Sequence, residues 1–160
     1  MKNVLKISML MVFLFSCVTV QNNDLFPEAK IIKADESMVV SEKDPARLKE
    51  RIDEYWKCRI DNNYIKAFEY EDPNTKEKYK IDIQEYLSHK SNLKYHNIRI
   101  TEINFIRPDY AKATIMVKYT FDLFGPITDE KDILDKWVKR EDGKWYRIFT
   151  TNIGQTPLEK

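Results

Sequence analysis

AKATIMVKYTFDL, residues 111–123, alternates without a break: Ala111, Ala113, Ile115, Val117, Tyr119, Phe121 and Leu123 share one phase, and Lys112, Thr114, Met116, Lys118, Thr120 and Asp122 share the other. A period of two is that of a strand with one face buried. The segment before it, His96 to Arg107, keeps the period but slips phase. Ile98 and Ile100 stand in one row and Ile103 and Phe105 in the other, which is the signature of a β-bulge in a long bent strand. Pro108-Asp109 turns the chain between the two. Downstream, Gly125-Pro126 makes a second turn, and Asp132 to Arg140 forms a third strand carrying Leu134, Trp137 and Val138. Glu141-Asp142-Gly143 is a hairpin signal, and Lys144 to Thr151 closes an antiparallel meander.

Upstream the period changes to 3.6. Asp44-Pro45 sets a helix start, with aspartate as the N-cap and proline in the first turn. Leu48, Ile52, Tyr55, Trp56, Ile60, Tyr64 and Phe68 then form one apolar stripe that predicts a single long helix, ended by Asp72-Pro73-Asn74. Asp82 with Glu85 three residues on is a capping pattern for a second, short helix that stops near Ser91-Asn92. Helices followed by a meander exclude a doubly wound parallel fold. The expectation is α+β, a long N-terminal helix and a short helix packed on one face of a curved antiparallel sheet.

The 160 residues suffice for one domain, and 27 Lys+Arg against 26 Asp+Glu leave a formal charge of +1. No basic field for nucleic acid follows from that balance. The three glycines, Gly125, Gly143 and Gly154, form no phosphate-binding loop, so no nucleotide cofactor is expected. With two cysteines, neither a disulfide framework nor a cysteine-rich metal site is expected.

The first 16 residues are unlike the rest: Lys2 and Lys6 flank the start, and an apolar run extends from Ile7 to Phe15. A basic end followed by a short apolar core is a signal peptide's layout, and the run is too short to span a bilayer. Leu14-Phe15-Ser16-Cys17 resembles a bacterial lipobox, which implies lipidation of Cys17. The same run also suits ordinary cleavage near Cys17 or Val18, or an uncleaved anchor. Residues 17–43 are polar and aperiodic and read as anchor and tether, with Ile31-Ile32 and Met38-Val39-Val40 as apolar clusters able to dock as an edge strand. The domain spans 44–151, and 152–160 is a C-terminal tail. Without residues 1–16 the chain loses two lysines and no acid, which turns its charge to −1. Cys58, inside the helical stripe, reads as a small buried hydrophobe.

The order of elements, with Tyr55-Trp56, Asp61, Tyr64, Ala67-Phe68, Tyr70 and Pro73 along the helix and Trp137 to Tyr146 in the last hairpin, resembles the NTF2-like (cystatin-like) superfamily, in particular its uncharacterised envelope members. The resemblance implies a cone in which helices close over a curved sheet. It also implies either a non-enzymatic binding module or, alternatively, a ligand carrier or an enzyme of ketosteroid-isomerase or dehydratase type working inside the cone. Neither enzyme pattern is evident: the polar phase of residues 111–123 points away from the core, and His89 and His96 flank a polar connection. No catalytic residue and no metal site is therefore expected. Trp56, Asp61, Tyr64, Tyr119 and Trp137 are the candidate pocket residues, for a hydrophobic small ligand, although aromatic residues at this spacing also simply fill cores. The expected setting is the cell envelope, reached through the lipid anchor, in the outer membrane if the source is Gram-negative, with a homodimer or an envelope protein as candidate partner.

Overall fold

The computed structural model describes residues 28–90, 92–122 and 126–150. It is α+β, with a five-stranded mixed sheet and four helices in the order β1 (Lys30–Lys33), α1 (Asp44–Ile60), α2 (Tyr64–Phe68), α3 (Pro73–Tyr79), α4 (Ile83–Ser88), β2 (Lys94–Arg107), β3 (Tyr110–Asp122), β4 (Pro126–Lys139) and β5 (Trp145–Arg147). The strands lie in sequence order. All pairs are antiparallel except β1 with β2, where the Ile31-Ile32 cluster of the 17–43 segment adds a parallel edge strand. Signal segment, Cys17 and C-terminal tail lie outside the described residues. Among the described helices none is long and apolar enough to cross a membrane.

The single long helix expected from the apolar stripe is two helices. Asn62 adopts φ +56°, the Asn62 N–H reaches the Arg59 carbonyl at 3.3 Å, and the Asn63 N–H reaches the Cys58 carbonyl at 2.8 Å. This closing pattern ends α1 with asparagine in the left-handed position that glycine usually takes. Asn63 Oδ1 then accepts from the Lys66 N–H and starts α2. Asp72-Pro73 likewise begins a helix, α3, where a stop alone was expected: Asp72 Oδ2 caps the Thr75 N–H at 2.9 Å. Asp82 caps α4 as its spacing implies, through the Glu85 N–H at 2.8 Å. Asp44 makes no side-chain cap; its carboxylate is buried and held by Lys139.

The sheet follows the pattern of residues 111–123 closely. Ala111, Ala113, Ile115 and Val117 are fully buried, and register shifts near Tyr95, Ile100 and Phe105 bend β2. The third strand begins at Pro126, earlier than the expected Asp132. α1 lays Leu48, Ile52 and Tyr55 on this surface, all at 0% exposure, and each contributes roughly 1.5–3 kcal/mol of apolar burial. Ala111 and Ala113 face Trp137 and Asp135 across the β3–β4 ladder, so the small β3 side chains leave room for an indole and a carboxylate. Beyond Ile133 the inward row of β4 continues with Lys131 and Asp129. Residues 126–132 are exposed on both faces, so the β3–β4 hairpin runs past the helices. β5 pairs only with Trp137 to Lys139, and the outer edge of β4 before that point opens onto the site described next.

Candidate functional site

Tyr70, Glu71 and Asp72 run alongside β5 as an extended segment. The Arg147 N–H donates to the Tyr70 carbonyl at 2.8 Å, and the Asp72 N–H donates to the Arg147 carbonyl at 2.7 Å. Extended backbone sends successive side chains to opposite sides, so Glu71 points into the domain and Asp72 away from that interior. Inside, Arg147 donates from Nη1 to Glu71 Oε1 at 2.9 Å and from Nε to Asp135 Oδ1 at 2.8 Å. Asp135 Oδ2 accepts from Trp56 Nε1 at 2.9 Å. Glu71 and Asp135 are 0% and 1% exposed, so this is a buried ion network tying the 70–72 segment, β4, β5 and α1 together.

One turn along α1 from Tyr55 lies a second arginine. Arg59 Nη1 donates to Tyr55 Oη at 2.7 Å, while its Nε is buried without a partner. No carboxylate among the described residues lies within ion-pair distance of it. The rings of Tyr64, Tyr95 and Trp56 surround it instead, with centroids 5.1, 5.4 and 5.8 Å from the guanidinium carbon. Tyr55, Trp56 and Arg59 reach this interior together because helical spacing puts i, i+1 and i+4 on neighbouring faces.

A cavity of about 400 Å³ opens onto both arginines. It is lined by Trp56, Arg59, Leu93 and Tyr95, by Lys131 to Asp135 of β4, by Arg147 and Phe149, and by His89, which lies 3.0 Å from Glu85. Burial pushes the Glu71 carboxyl up, partly offset by Arg147 and reinforced by Asp135. Burial opposes charge on Arg147, but Asp135, Tyr55 and Glu71 outweigh it, and the guanidinium is a cation at any working pH. Arg59 is likewise raised: burial opposes its charge, and Tyr55 and Tyr86 favour it only once ionised, so with both phenols neutral at working pH the cost of burial stands. Tyr86, behind them, is pushed up to about 12, first by burial and then by Glu71.

The buried carboxylates of this arrangement are committed to Arg147. A general base needs a carboxylate oxygen free to take a proton from a ligand. Both Asp135 oxygens are engaged and Glu71 is off the cavity wall, while Asp132 and His89 also stand on the lining, His89 bonded to Glu85. Cys58 is buried, and burial raises its thiol, so it offers no thiolate. Among the described residues no group of three His, Cys, Asp or Glu side chains is placed to hold a metal ion.

Of the residues named from sequence, Trp56 lines the cavity. Tyr64 is buried against Arg59 but is not on the wall, and Trp137 is buried in the core. Asp61 is exposed at the end of α1, outside the cavity, and Tyr119 stacks on Phe121 with its hydroxyl 3.3 Å from Asp129. His89 and His96 are exposed, His96 bonding Thr120 at 2.7 Å. Arg59, Glu71, Asp135 and Arg147 were missed. Asp135 could have been found by phase, since Ile133, Asp135 and Trp137 share one row of β4 and a carboxylate in phase with a buried indole is inward. Compared with models of known protein families and with curated proteins, the chain finds no match.

Proposed function

We propose that this is a lipid-anchored cell-envelope protein whose domain, an NTF2-like cone, binds a small ligand in its interior and performs no chemistry on it. The bends in β2 and the helices gathered over one sheet face support the cone reading. The signal-like run and Cys17 support the anchor, which carries the domain on the 17–43 segment. The observation that carries the binding reading is the cavity of about 400 Å³ ending on a buried ion network, because a concave site with a few convergent polar groups is the usual form of a ligand pocket. The committed oxygens of Asp135 favour binding over an isomerase- or dehydratase-type reaction. A homodimer or envelope partner would meet the outer sheet face, where Leu134 is 56% exposed among lysines, threonines and acids.

The test is a thermal-shift screen of small metabolites on the full chain in mild detergent, beside an Ile133→Trp variant that fills the cavity. A set of ligands that raises the melting temperature of the wild type by several degrees and leaves the variant unmoved is expected. Absence of any such ligand, or equal shifts in both proteins, contradicts the reading. For the anchor, Cys17→Ala should release the protein from the membrane fraction with a loss of acyl mass; unchanged mass and fractionation contradict lipidation.

A further inference from the structure

We propose that the cavity takes the carboxylate end of a small organic monoanion, with Arg59 as its counter-ion and Trp56, Tyr95, Leu93 and Ile133 as the walls for its apolar body. The proposal rests on the ligand-binding reading above and names the chemistry of the ligand. It starts from an inequality between two partly buried cations. Arg147 has two carboxylates at 2.8 and 2.9 Å, and Arg59 has none among the described residues. A buried charge without a counter-ion is costly. The ring faces around Arg59 relieve part of that cost, but they meet the guanidinium as π surfaces and do not accept its in-plane N–H groups. Tyr55 takes one of those, and Nε is left with none. A planar fork of N–H donors short of acceptors is the complement of a carboxylate.

The charges on the wall set the ligand's valence. Arg147 is already matched by Asp135 and Glu71, and Lys131 and Asp132 offset each other on the exposed part of β4, so Arg59 leaves one positive charge for a single negative charge to balance. The remaining wall is aromatic and aliphatic, which calls for an organic body, and the volume suits a molecule of modest size.

The experiment titrates the full chain with alkanoates from butanoate to octanoate and with phenylacetate to phenylbutanoate, each beside its primary amide, and follows binding by calorimetry. The amide keeps the shape and removes the charge. The wild type should bind at least one acid about tenfold to a hundredfold tighter than its amide. Arg59→Gln should erase that preference and keep the amide affinity within about twofold, while Arg59→Lys, which keeps charge and loses the fork, should retain part of it. If acid and amide bind the wild type equally, or Arg59→Gln keeps the preference, the carboxylate assignment is overturned and the ligand-binding reading stands. If no acid and no amide binds the wild type, both are overturned. The acid-to-amide ratio is read on the wild type itself, so the outcome does not depend on either variant folding.

Discussion

Glu71 and Asp72 are adjacent in the chain, both are 0% exposed, and each holds an arginine, yet they belong to two different kinds of ionic cluster. Asp72 faces Arg140 in a fork-to-fork pair at 2.7 Å on each oxygen, and Oδ2 also takes the Thr75 N–H and hydroxyl at 2.9 and 2.6 Å. A few residues away Lys139 grips both Asp44 oxygens at 2.9 and 3.0 Å. These pairs fasten the starts of α3 and α1 to the end of β4, and their charged atoms are matched. The Glu71 cluster is built from the same residue types but is not closed. Glu71 Oε2 and Arg59 Nε are buried without partners, and a cavity opens beside them. Titration follows the same division. Hydrogen bonds from Arg140 and Thr75 outweigh burial and hold Asp72 below the usual carboxylate range, whereas burial wins at Glu71 and lifts it. A matched cluster staples a fold; the unmatched one, beside a cavity, is what the proposed ligand site rests on.

The sharpest way to break the comparison is to remove Arg147. Arg147→Met strands Glu71 and Asp135 in the interior, and chemical denaturation should show a loss of about 3–5 kcal/mol. Asp72→Ala should cost about 3 kcal/mol, since it loses both the Arg140 pair and the α3 cap. Asp72→Asn keeps the cap and should recover about 1 kcal/mol of that. A smaller, signed effect separates the two acids by pH. Asp72, depressed when folded, contributes stability that is full above an ordinary carboxyl value of about 3.9 and is lost as pH falls through the folded value. Glu71, raised when folded, works in the opposite sense: stability declines as pH climbs from about 4.3 toward the folded value, because the native state holds the proton longer. Unfolding free energy measured across pH should therefore lose its acid limb in Asp72→Asn and its decline at higher pH in Glu71→Gln; parallel curves for the two variants would sink the distinction. The smallest effect belongs to Tyr64→Phe. It removes a buried hydroxyl with no partner and should leave stability within about 0.5 kcal/mol of wild type.

The sheet was legible because its information is periodic. The alternation from residue 111 to 122 and the slip between Ile100 and Ile103 map onto β3 and the bent β2. The helices were legible in position but not in number. The apolar stripe through Ile60, Tyr64 and Phe68 keeps helical spacing across a turn that Asn62 and Asn63 impose, and a stripe reports which side is buried, not whether the backbone continues. Asp72-Pro73 could have been recognised by the rule applied at Asp44-Pro45. The site was least legible. Arg59 and Arg147 are ordinary surface residues by composition, and only the fold brings α1, β4 and the 70–72 segment around them. The aromatic residues picked for a pocket were drawn to the right region, since Trp56 and Tyr64 both stand against Arg59, but the charge that gives the region a use was unread.

If Arg59 is kept for a ligand and not for the fold, as proposed, the unfolding free energy of Arg59→Met without ligand should show it. Methionine fills the space of the guanidinium stem and removes a partly buried cation that lacks a counter-ion among the described residues. The account predicts a protein within about 1 kcal/mol of wild type, or more stable than it. A loss of about 3 kcal/mol, matching that of Asp72→Ala, would place Arg59 among the staples and contradict the account.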